Sequence, residues 1–460
     1  MHPATTTTVP PSKQEKPVIE LTEEQSSVFT LLKKFAYEDS NSYALFEGAA
    51  GVGKTTLISF LIEELLNNAL FGNICCVSPT HKALKVMRNM CDKNQDKIGF
   101  LTLHSLLGLK HKITKEGKEV FERDRNSISK LTMYDFLIID ESSMIADELF
   151  QELHDQNYKG IKVLFVGDSN QINPINHTHS IPMLEEKRKT YEISHYKLNT
   201  IVRQAANNPI IKYSQRVLNN DFEFKSGTKE IVDNSGVVMI DTSQMDVIQG
   251  LMKHYFCTKE FDNNADFCRV IAWRNATVER FNHIVRRMKY GNKAAKIVVG
   301  EKLIVDRPIK TGDDNDTVLF HTNEDLIVRD ISETTKSLYG VNFKIYRTFV
   351  SGDEDQDYID IIHERYEGMY NQMLKKFADD ANSEKDIGKR ISHWKKYFSF
   401  IDSFAQIKYG YCQTIHTSQG STYENAFVFF NDIQANWKDE ERKRILYTAI
   451  TRPKKMLYIF

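Results

Sequence analysis

Apolar residues in the first part of the chain form helix and strand patterns that alternate. Helical spacing connects Val28, Leu31, Leu32 and Phe35. Short continuous apolar runs then follow, each bounded by polar or glycine residues: YALFE, NICCVSP, FLIIDE and KVLFVGD. Because strands that are apolar throughout are buried on both faces, such runs between helices predict a parallel sheet covered by helices.

A second alternation begins after about residue 198. It predicts strands at GVVMID, RVIAW, KYGYCQTI, NAFVFF and KMLYIF, and helices at Pro209–Leu218, Asn275–Lys289 and Glu440–Thr451. Residues 295–404 interrupt this order with short antiparallel strands and then, in Ile361–Phe404, the pattern of two long helices. We therefore expect an α/β chain with a first domain at 20–197, a second domain at 198–294 and 405–460, and an insert at 295–404.

Composition supports a large folded core. The chain has 460 residues, 41% hydrophobic and 27% charged, and its formal net charge is -1. An anionic partner would therefore be held by a local groove and not by overall charge. No apolar run approaches the roughly 18 residues of a membrane span. The six cysteines form no C-x-x-C pair, and the start of the chain has no apolar signal segment, so a reducing cytoplasm is expected. Residues 1–19, rich in Thr and Pro, are expected to form a disordered arm.

A glycine-rich segment, GAAGVGKTT, follows a predicted strand and opens a predicted helix. It fits the pattern G-x-x-x-x-G-K-[ST], in which backbone N–H groups surround phosphate oxygens. Lys54 would reach the β- and γ-phosphates, and Thr55 would bind Mg²⁺. A plain glycine-rich turn is the alternative. The predicted ATP-binding residues of this segment are Gly48, Ala49, Ala50, Gly51, Val52, Gly53, Lys54, Thr55 and Thr56.

Polar residues at two later strand ends are candidate catalytic groups. In YDFLIIDESS, Asp140 would hold Mg²⁺ and Glu141 would activate the attacking water, although a strand-terminal Asp-Glu by itself is more often a solvated turn. In FVGDSNQINPI, Gln171 would contact the γ-phosphate and sense its loss, or would form only a polar turn before Pro174. Gln25 ends a T-x-x-Q capping box, so a helix start explains it without any ligand.

An ordered set of motifs extends over residues 20–460: a Gln before GAAGVGKT, then SPTHKAL, TLHSLLGL, DESSM, GDSNQI, LNTIVRQ, QTIHTSQGS and LYTAITRPKK. This set resembles the superfamily 1B helicases, in particular Dda-like and RecD-like enzymes. The resemblance implies two RecA-like P-loop NTPase domains that clamp ATP between them, with single-stranded DNA lying across both. It also implies that the insert is a small SH3-like barrel followed by a helical extension.

Several roles at the nucleotide follow from this resemblance. Gln25 would recognise the adenine, and Gln171 would be the γ-phosphate sensor. Arg203 and Arg452 would be presented from the second domain to the γ-phosphate, so that hydrolysis depends on closure of the cleft. Each arginine taken singly is more often part of a surface ion pair.

The resemblance also places a track for single-stranded DNA along both domains. Short polar side chains at strand ends suit phosphate contacts, which hold a strand without recognising its sequence. The segment QTIHTSQGS would link the DNA grip to the ATP state, with Gln419 and Gly420 toward the nucleotide; a buried histidine is the alternative for His416. The predicted DNA-binding residues are Pro79, Thr80, His81, Thr102, His104, Phe121, Thr414, His416 and Ser418.

Residues 109–124, LKHKITKEGKEVFERD, alternate on both sides of a Gly, which predicts a β-hairpin with Gly117 at its turn. In the enzymes that the chain resembles, a hairpin at this place is the pin that splits the duplex. Phe121 would then be the apolar face of the pin. An ordinary surface hairpin is the alternative.

The sequence therefore predicts an ATP- and Mg²⁺-dependent DNA helicase that translocates on single strands, and the resemblance implies 5′ to 3′ movement. Expected partners are single-stranded and fork DNA, together with replication or recombination proteins. We expect a monomer that uses no membrane and acts in the cytoplasm, which is the host cytoplasm if a phage encodes the chain. Two alternatives stay open: a nucleic-acid-stimulated ATPase that displaces proteins or acts on RNA, and a P-loop regulatory or assembly subunit. Two arginine motifs argue against the latter, since a switch need not complete a hydrolytic site.

Overall fold

The structure is a computed structural model that describes residues 20–68, 71–91, 95–123, 128–174, 177, 179–200, 207–311 and 317–460. Its strands are β1 (Tyr43–Gly48), β2 (Ile74–Ser78), β3 (Ile98–Thr102), β4 (Leu109–Ile113), β5 (Glu119–Arg123), β6 (Phe136–Ile139), β7 (Lys162–Gly167), β8 (Ile193–Leu198), β9 (Lys229–Val232), β10 (Ser235–Met239), β11 (Cys268–Ala272), β12 (Lys302–Val305), β13 (Ile309–Thr311), β14 (Thr317–Phe320), β15 (Asp325–Leu338), β16 (Val341–Ser351), β17 (Gln356–Ile362), β18 (Ile407–Tyr409), β19 (Cys412–Thr414), β20 (Tyr423–Val428) and β21 (Pro453–Ile459). Its α-helices are α1 (Glu23–Tyr37), α2 (Lys54–Asn67), α3 (His81–Met90), α4 (Leu103–Leu106), α5 (Asp147–Gln156), α6 (Glu185–Thr190), α7 (Pro209–Leu218), α8 (Met245–Phe256), α9 (Lys259–Asn263), α10 (Asn275–Tyr290), α11 (Glu367–Ser383), α12 (Ile387–Asp402), α13 (Ile415–Ser418), α14 (Phe430–Gln434) and α15 (Asp439–Ile450).

The first RecA-like domain is a six-stranded sheet in the order β3-β2-β6-β7-β1-β8, and its neighbouring strands pair in parallel. The four strands predicted in this region, β1, β2, β6 and β7, are confirmed and form its centre. Successive residues of β1 face opposite sides, so that Phe46 packs in one buried cluster and Leu45 in the other. Because the carboxyl ends of parallel strands meet at one edge, Gly48, Asp140 and Asp168 gather there.

The second RecA-like domain is a sheet in the order β19-β11-β20-β21-β10-β9, parallel except for the antiparallel pair of β9 and β10. The predicted helices of this domain are confirmed as α7, α10 and α15. Helix α15 packs its fully buried Ile445, Tyr447 and Ala449 into the core of the sheet. The first turn of α15 carries Asp439 and Glu440, which suit the positive end of the helix dipole.

The insert is a five-stranded antiparallel sheet in the order β17-β16-β15-β12-β18, with helices α11 and α12 packed on it through Phe343, Phe377 and Phe400. One boundary prediction was wrong. The run KYGYCQTI was expected to be a single strand of a second domain resuming at residue 405. Instead β18 pairs with β12 of the insert, and only β19 joins the second sheet. The chain changes sheets at Gly410, whose N–H donates to the carbonyl of Lys302 at 2.8 Å.

The insert also contacts helix α3 of the first domain. Asp325 pairs with Lys82 of α3 at 2.8 Å and with Arg269 of the second domain at 2.8 Å. These three side chains are largely buried, at 9%, 16% and 0% exposure respectively. His81 stacks on His321 of the insert with ring centroids 3.4 Å apart. Asp325 therefore joins both RecA-like domains to the insert through ion pairs.

Replacing Asp325 by Asn is expected to destabilise the protein by about 3–5 kcal/mol, because Lys82 and Arg269 would stay buried without a counter-charge. Burial by itself would raise the pKa of Asp325, but Arg269 and Lys82 outweigh burial and lower the pKa. The stabilisation is therefore complete above the unfolded pKa of about 3.9 and is lost as the pH falls through the lowered folded pKa. Chemical denaturation at pH 7 and at pH 3 measures both effects. Asp353→Asn, which removes an exposed ion pair with Lys85, is the control and should cost less than about 1 kcal/mol. Equal effects of the two variants would contradict a central role for Asp325.

None of the helices in the described residues combines the length and apolar character needed to cross a bilayer.

Candidate nucleotide and DNA sites

The glycine-rich loop lies between the end of β1 and the start of α2. Gly51 and Gly53 have φ of 83° and 91°, a left-handed region that favours glycine and allows the tight turn of a phosphate-binding loop. Lys54 Nζ donates to the carbonyl of Gly48 and to that of Ala49 at 3.0 Å, so the ammonium lies over the loop. A cradle of N–H groups beside an ammonium at a helix N-terminus fits a phosphate chain.

Gln25 is buried and uses its side chain twice. Its Oε1 accepts from the Thr22 N–H at 3.0 Å, and the Thr22 hydroxyl accepts from the Gln25 N–H at 3.2 Å, which confirms the capping box. Gln25 Nε2 also donates to the carbonyl of Val52 in the glycine-rich loop at 3.0 Å. Gln25 therefore connects the start of α1 to the loop, which puts it beside the nucleotide site without assigning it a ligand.

Asp140 and Glu141 follow the buried strand β6 directly. Glu141 has φ of 51°, a left-handed conformation that costs free energy for a residue other than glycine and is often found at functional sites. Burial, and then the charge of Asp140, raise the pKa of Glu141 to about 7. A carboxylate in this setting is a better proton acceptor for water than a solvated one.

The donors expected for Mg²⁺ suit this metal. The hydroxyl of Thr55 in the first turn of α2 and the carboxylate of Asp140 are the hard oxygen ligands that Mg²⁺ prefers. Burial raises the pKa of Asp140, and the Glu141 N–H and Lys54 only partly oppose this. A cation bound at Asp140 would supply the charge that this buried carboxylate needs.

Gln171 lies on a turn after β7 that faces the second domain. Its side chain is 7% exposed, and its Oε1 accepts from Gln419 Nε2 of the second domain at 3.4 Å. Gln419 also lies 3.4 Å from the Ser143 hydroxyl and from the carbonyl of Ile172. Gly420 was predicted to lie toward the nucleotide, but a Cβ placed there would first meet Ala83 and then Thr80, at the start of α3. The predicted sensor and the predicted linking segment therefore meet across the cleft.

Of the two predicted arginines, the structure describes only Arg452. Arg203 lies outside the described residues. Arg452 is 5% exposed and donates from Nε to the carbonyl of Thr448 at 2.9 Å and from Nη1 to that of Ser421 at 3.2 Å. Its positive charge lies close enough to Glu141 to oppose the rise in the pKa of that carboxyl. Arg452 is therefore held by its own domain, and its charge acts on Glu141 of the first domain.

Three predicted DNA-binding threonines occupy equivalent places, each as the N-cap of a short or medium helix. The hydroxyls of Thr80, Thr102 and Thr414 accept from backbone N–H groups three residues ahead at 3.3, 3.2 and 3.1 Å. A cavity of about 380 Å³ lies between the two domains and the insert. Its lining includes Thr80, Lys82, Asn173, Thr322, Asn323 and His416. The structure thus brings Thr80 and His416, from different domains, to one space.

Other predicted DNA-binding residues are engaged elsewhere. His81, next to Pro79 and Thr80, stacks on His321, and His104 packs against Phe121 with centroids 4.6 Å apart. Ser418 is fully buried and its hydroxyl donates to the carbonyl of Ile415 at 2.7 Å. Ser418 therefore does not face the cavity in this structure.

Comparison with known proteins gives relatives that align with nearly the whole chain. Residues 35–177 match the family model of an AAA domain, and residues 409–460 match that of a UvrD-like helicase C-terminal domain. An uncharacterized protein of Acanthamoeba polyphaga mimivirus is 27% identical over 93% of this chain and 97% of its own length. The RecD subunit of the RecBCD enzyme of Buchnera aphidicola subsp. Schizaphis graminum is 25% identical over 91% of this chain and 70% of its own. The ATP-dependent DNA helicase Dda of Enterobacteria phage T4 is 26% identical over 94% of this chain and 97% of its own.

These relatives support an ATP-dependent DNA helicase that is similar to the superfamily 1B enzymes.

Sequence reasoning missed three polar residues in the cleft of this helicase. They are Asp168 on the turn after β7, and Arg444 and Tyr447 on α15. Tyr447 Oη donates to Asp168 Oδ2 at 2.7 Å and accepts from the Ala50 N–H of the glycine-rich loop at 2.9 Å. Arg444 Nη1 donates to the carbonyl of Ser169, and to that of Gln171 at 3.1 Å. The signal available in the sequence was the three-residue spacing of Arg444, just before LYTAITRPKK, and Tyr447, its second residue. The partners across the cleft carried no local signal.

The predicted hairpin of this helicase is confirmed as β4 and β5, with His111 opposite Phe121. Phe121 is 55% exposed, so an aromatic face points to solvent. At the turn, Gly117 has φ of 72°, and a Cβ placed there would come within 2.5 Å of the Trp394 ring on α12. Glu119 of β5 pairs with Arg307 of the insert. The hairpin therefore contacts the insert near its turn, and Phe121 remains partly exposed to solvent.

Proposed function

We propose that this ATP-dependent DNA helicase couples closure of its RecA-like domains to 5′ to 3′ movement along single-stranded DNA, and that the hairpin β4–β5 separates the duplex. The observation that supports this most is the contact across the cleft. Second-domain Tyr447 bonds to the glycine-rich loop, while the same two domains line the cavity that holds Thr80 and His416. One relative movement of the domains would therefore change both the nucleotide site and the DNA site.

The proposed chemistry assigns a role to each polar group predicted at the nucleotide site. Glu141 would take a proton from the water whose oxygen attacks the γ-phosphorus, while the bond to the bridging oxygen breaks and ADP leaves. Lys54, Arg452 and Arg203 would face the charge that spreads over the γ-phosphate oxygens. Thr55 and Asp140 would hold Mg²⁺, which when bound neutralises phosphate charge. Gln171 would sense the γ-phosphate, and Gln25 would recognise the adenine.

The proposed DNA track depends on phosphate contacts. The hydroxyls of Thr80, Thr102 and Thr414 cap a helix through their oxygens, and each also carries a hydrogen that would donate to a phosphate oxygen. The Thr414 hydroxyl lies 2.7 Å from that of Thr417, so a phosphate would share or replace this contact. His416 lines the cavity between the domains together with Thr80. Contacts of this kind position a strand and do not select a sequence. Single-stranded and fork DNA are the proposed partners, and one chain is the proposed working unit.

The test is the ATPase rate with and without single-stranded DNA, followed by unwinding of duplexes with a 5′ or a 3′ single-stranded tail. Strong stimulation by DNA and unwinding of the 5′-tailed duplex are expected. Stimulation without unwinding, or equal stimulation by RNA, would favour the translocase alternative. An ATPase rate that DNA does not change would overturn the proposal and favour a regulatory subunit.

Single-strand affinity is expected to fall with salt, because each phosphate contact releases counterions. The slope of log K against log salt concentration should be about -0.7 for each phosphate neutralised. Oligonucleotides of equal length and different sequence should bind with similar affinity, since contacts to phosphates and base faces tolerate any base. Fluorescence anisotropy over a salt series measures both quantities. A strong preference for one short sequence would contradict the proposed track.

Phe121→Ala is expected to slow unwinding and to leave single-strand translocation and ATPase activity close to wild type. A side chain that stacks on the last base pair or on a departing base contributes roughly 1–3 kcal/mol, and it acts only where two strands part. The loss should be steepest for GC-rich duplexes. Stopped-flow measurements of translocation and unwinding on the same variant decide this. Tyr158→Ala, at an aromatic that is 76% exposed outside the hairpin, is the control. Parallel decline of both rates would defeat the assignment of the hairpin as a pin.

A further inference from the structure

Helix α15 presents two polar side chains to the first domain from one face. Arg444 and Tyr447 are three residues apart, a spacing that puts them side by side on a helix. Tyr447 is fully buried, and its hydroxyl is both a donor, to Asp168 at 2.7 Å, and an acceptor, from the Ala50 N–H at 2.9 Å. A second-domain hydroxyl therefore connects two separate loops of the first domain.

Arg444 holds the next part of the same turn. Its Nη1 donates to the carbonyls of Ser169 and Gln171, which bracket the turn that carries the proposed sensor. The backbone of Asn170 closes the turn by donating to Asp168 Oδ1 at 3.0 Å. The position of the Gln171 backbone therefore depends on a guanidinium that belongs to the other domain.

The first domain holds the turn from the opposite side. The Ser169 hydroxyl donates to Glu47, the residue before Gly48 at the end of β1. Burial would raise the pKa of Glu47, but the hydrogen bonds from His195 and Ser169 and the charge of Lys197 outweigh burial and lower the pKa to about 2. Glu47 is thus ionised and fixed, and it anchors the turn to the strand that leads into the glycine-rich loop.

From this geometry we infer that Arg444 and Tyr447 are positioning residues: they set the Gln171 turn and the Ala50 N–H in the geometry for hydrolysis only when the second domain is closed. The inference rests on the proposed function, since it assumes that closure accompanies DNA binding. Neither side chain would touch the reacting atoms. Each would act through Gln171 or through the glycine-rich loop, so their loss affects the rate of turnover at saturating ATP more than the binding of ATP. Small misplacements of catalytic groups are known to cost large factors in rate.

The experiment compares Tyr447→Phe, Arg444→Lys and Arg444→Met by steady-state ATP hydrolysis, with and without saturating single-stranded DNA. In Tyr447→Phe only the bridging oxygen is lost, and the DNA-stimulated kcat is expected to fall about 10- to 100-fold while KM for ATP changes less than about threefold. Arg444→Met is expected to lose at least as much, and Arg444→Lys, which keeps a cationic donor, to recover part of the loss. Arg442→Met is the matched control on the same helix. It bonds only to Asn436 and Asp439 of its own domain in the described contacts and should match wild type in both kinetic parameters.

Thermal unfolding of each variant separates positioning from packing. A fall in kcat with a melting temperature within a few degrees of wild type supports the inference. Four results would overturn it: unchanged kcat, a rise in KM at constant kcat, failure of Arg444→Lys to recover any rate, or loss of stability that matches the loss of rate. A wild-type enzyme that DNA does not stimulate would instead defeat the proposed function, so the two failures are distinguishable.

Discussion

Glu141→Gln is expected to bind ATP nearly as well as the wild type and to hydrolyse it roughly 10²- to 10⁴-fold more slowly, the contribution of a positioned general base. Glutamine keeps the size and position of the side chain but does not accept a proton from water at neutral pH. The amide also carries no charge beside Asp140, so the repulsion between the two neighbouring carboxylates is removed. The variant should therefore fold at least as well as the wild type.

Two comparisons sharpen this prediction. Lys54→Ala should lose ATP binding as well as hydrolysis, because the ammonium that lies over the glycine-rich loop would be gone. Glu186→Gln, at an exposed carboxylate on α6, should leave both unchanged. Equilibrium binding of a fluorescent ATP analogue and single-turnover hydrolysis measure the two properties separately. Near wild-type turnover in Glu141→Gln would remove Glu141 from its proposed role.

The strands found from sequence and those missed differ in where they lie. Strands β1, β2, β6 and β7 occupy the centre of the first sheet and are buried along their length, so each appears as a continuous apolar run. The missed strands β3 and β8 are the two edges of that sheet. Their burial is only partial: β3 is half-buried after its first residue, and ISHYKL of β8 alternates between less and more exposed positions between its buried ends. An edge strand is covered on fewer sides, and its sequence is accordingly less distinct from that of a loop.

The residues of the candidate site also differ in how well the sequence predicts them. Lys54, Asp140 and Glu141 stand at strand and helix ends within one domain, and local motifs were enough to predict them. Arg444 and Tyr447 act on residues more than 270 positions away, and no pattern near them in the chain identifies such partners. The strand change at Gly410 has the same cause. The pairing of β18 with β12 is a tertiary contact that a continuous run such as KYGYCQTI does not reveal.

Arg452→Ala is expected to reduce DNA-stimulated turnover by about 10³-fold, the effect of removing an arginine that stabilises the γ-phosphate charge. The guanidinium is already held in place by the carbonyls of Thr448 and Ser421, and its charge reaches Glu141. Little conformational freedom would then be lost when a γ-phosphate arrives. Affinity for ATP should fall less than turnover, because the charge on the γ-oxygens develops during the reaction.

The measurements for Arg452→Ala are turnover at saturating ATP and DNA, ATP affinity, single-strand affinity and melting temperature. The melting temperature is needed because the variant also removes a donor from the carbonyls of Ser421 and Thr448, which costs stability for reasons unrelated to catalysis. The Thr448 carbonyl keeps the Thr451 hydroxyl at 3.0 Å. Arg452→Lys helps to separate these effects: a lysine keeps the charge and loses the planar fork, so it should recover more stability than turnover. Arg287→Ala, at an exposed arginine on α10, is the control. If turnover at saturating DNA survives while single-strand affinity collapses, Arg452 belongs to the DNA track instead. A side chain that only binds DNA changes the rate of hydrolysis by changing how much enzyme carries DNA, and saturating DNA removes that effect.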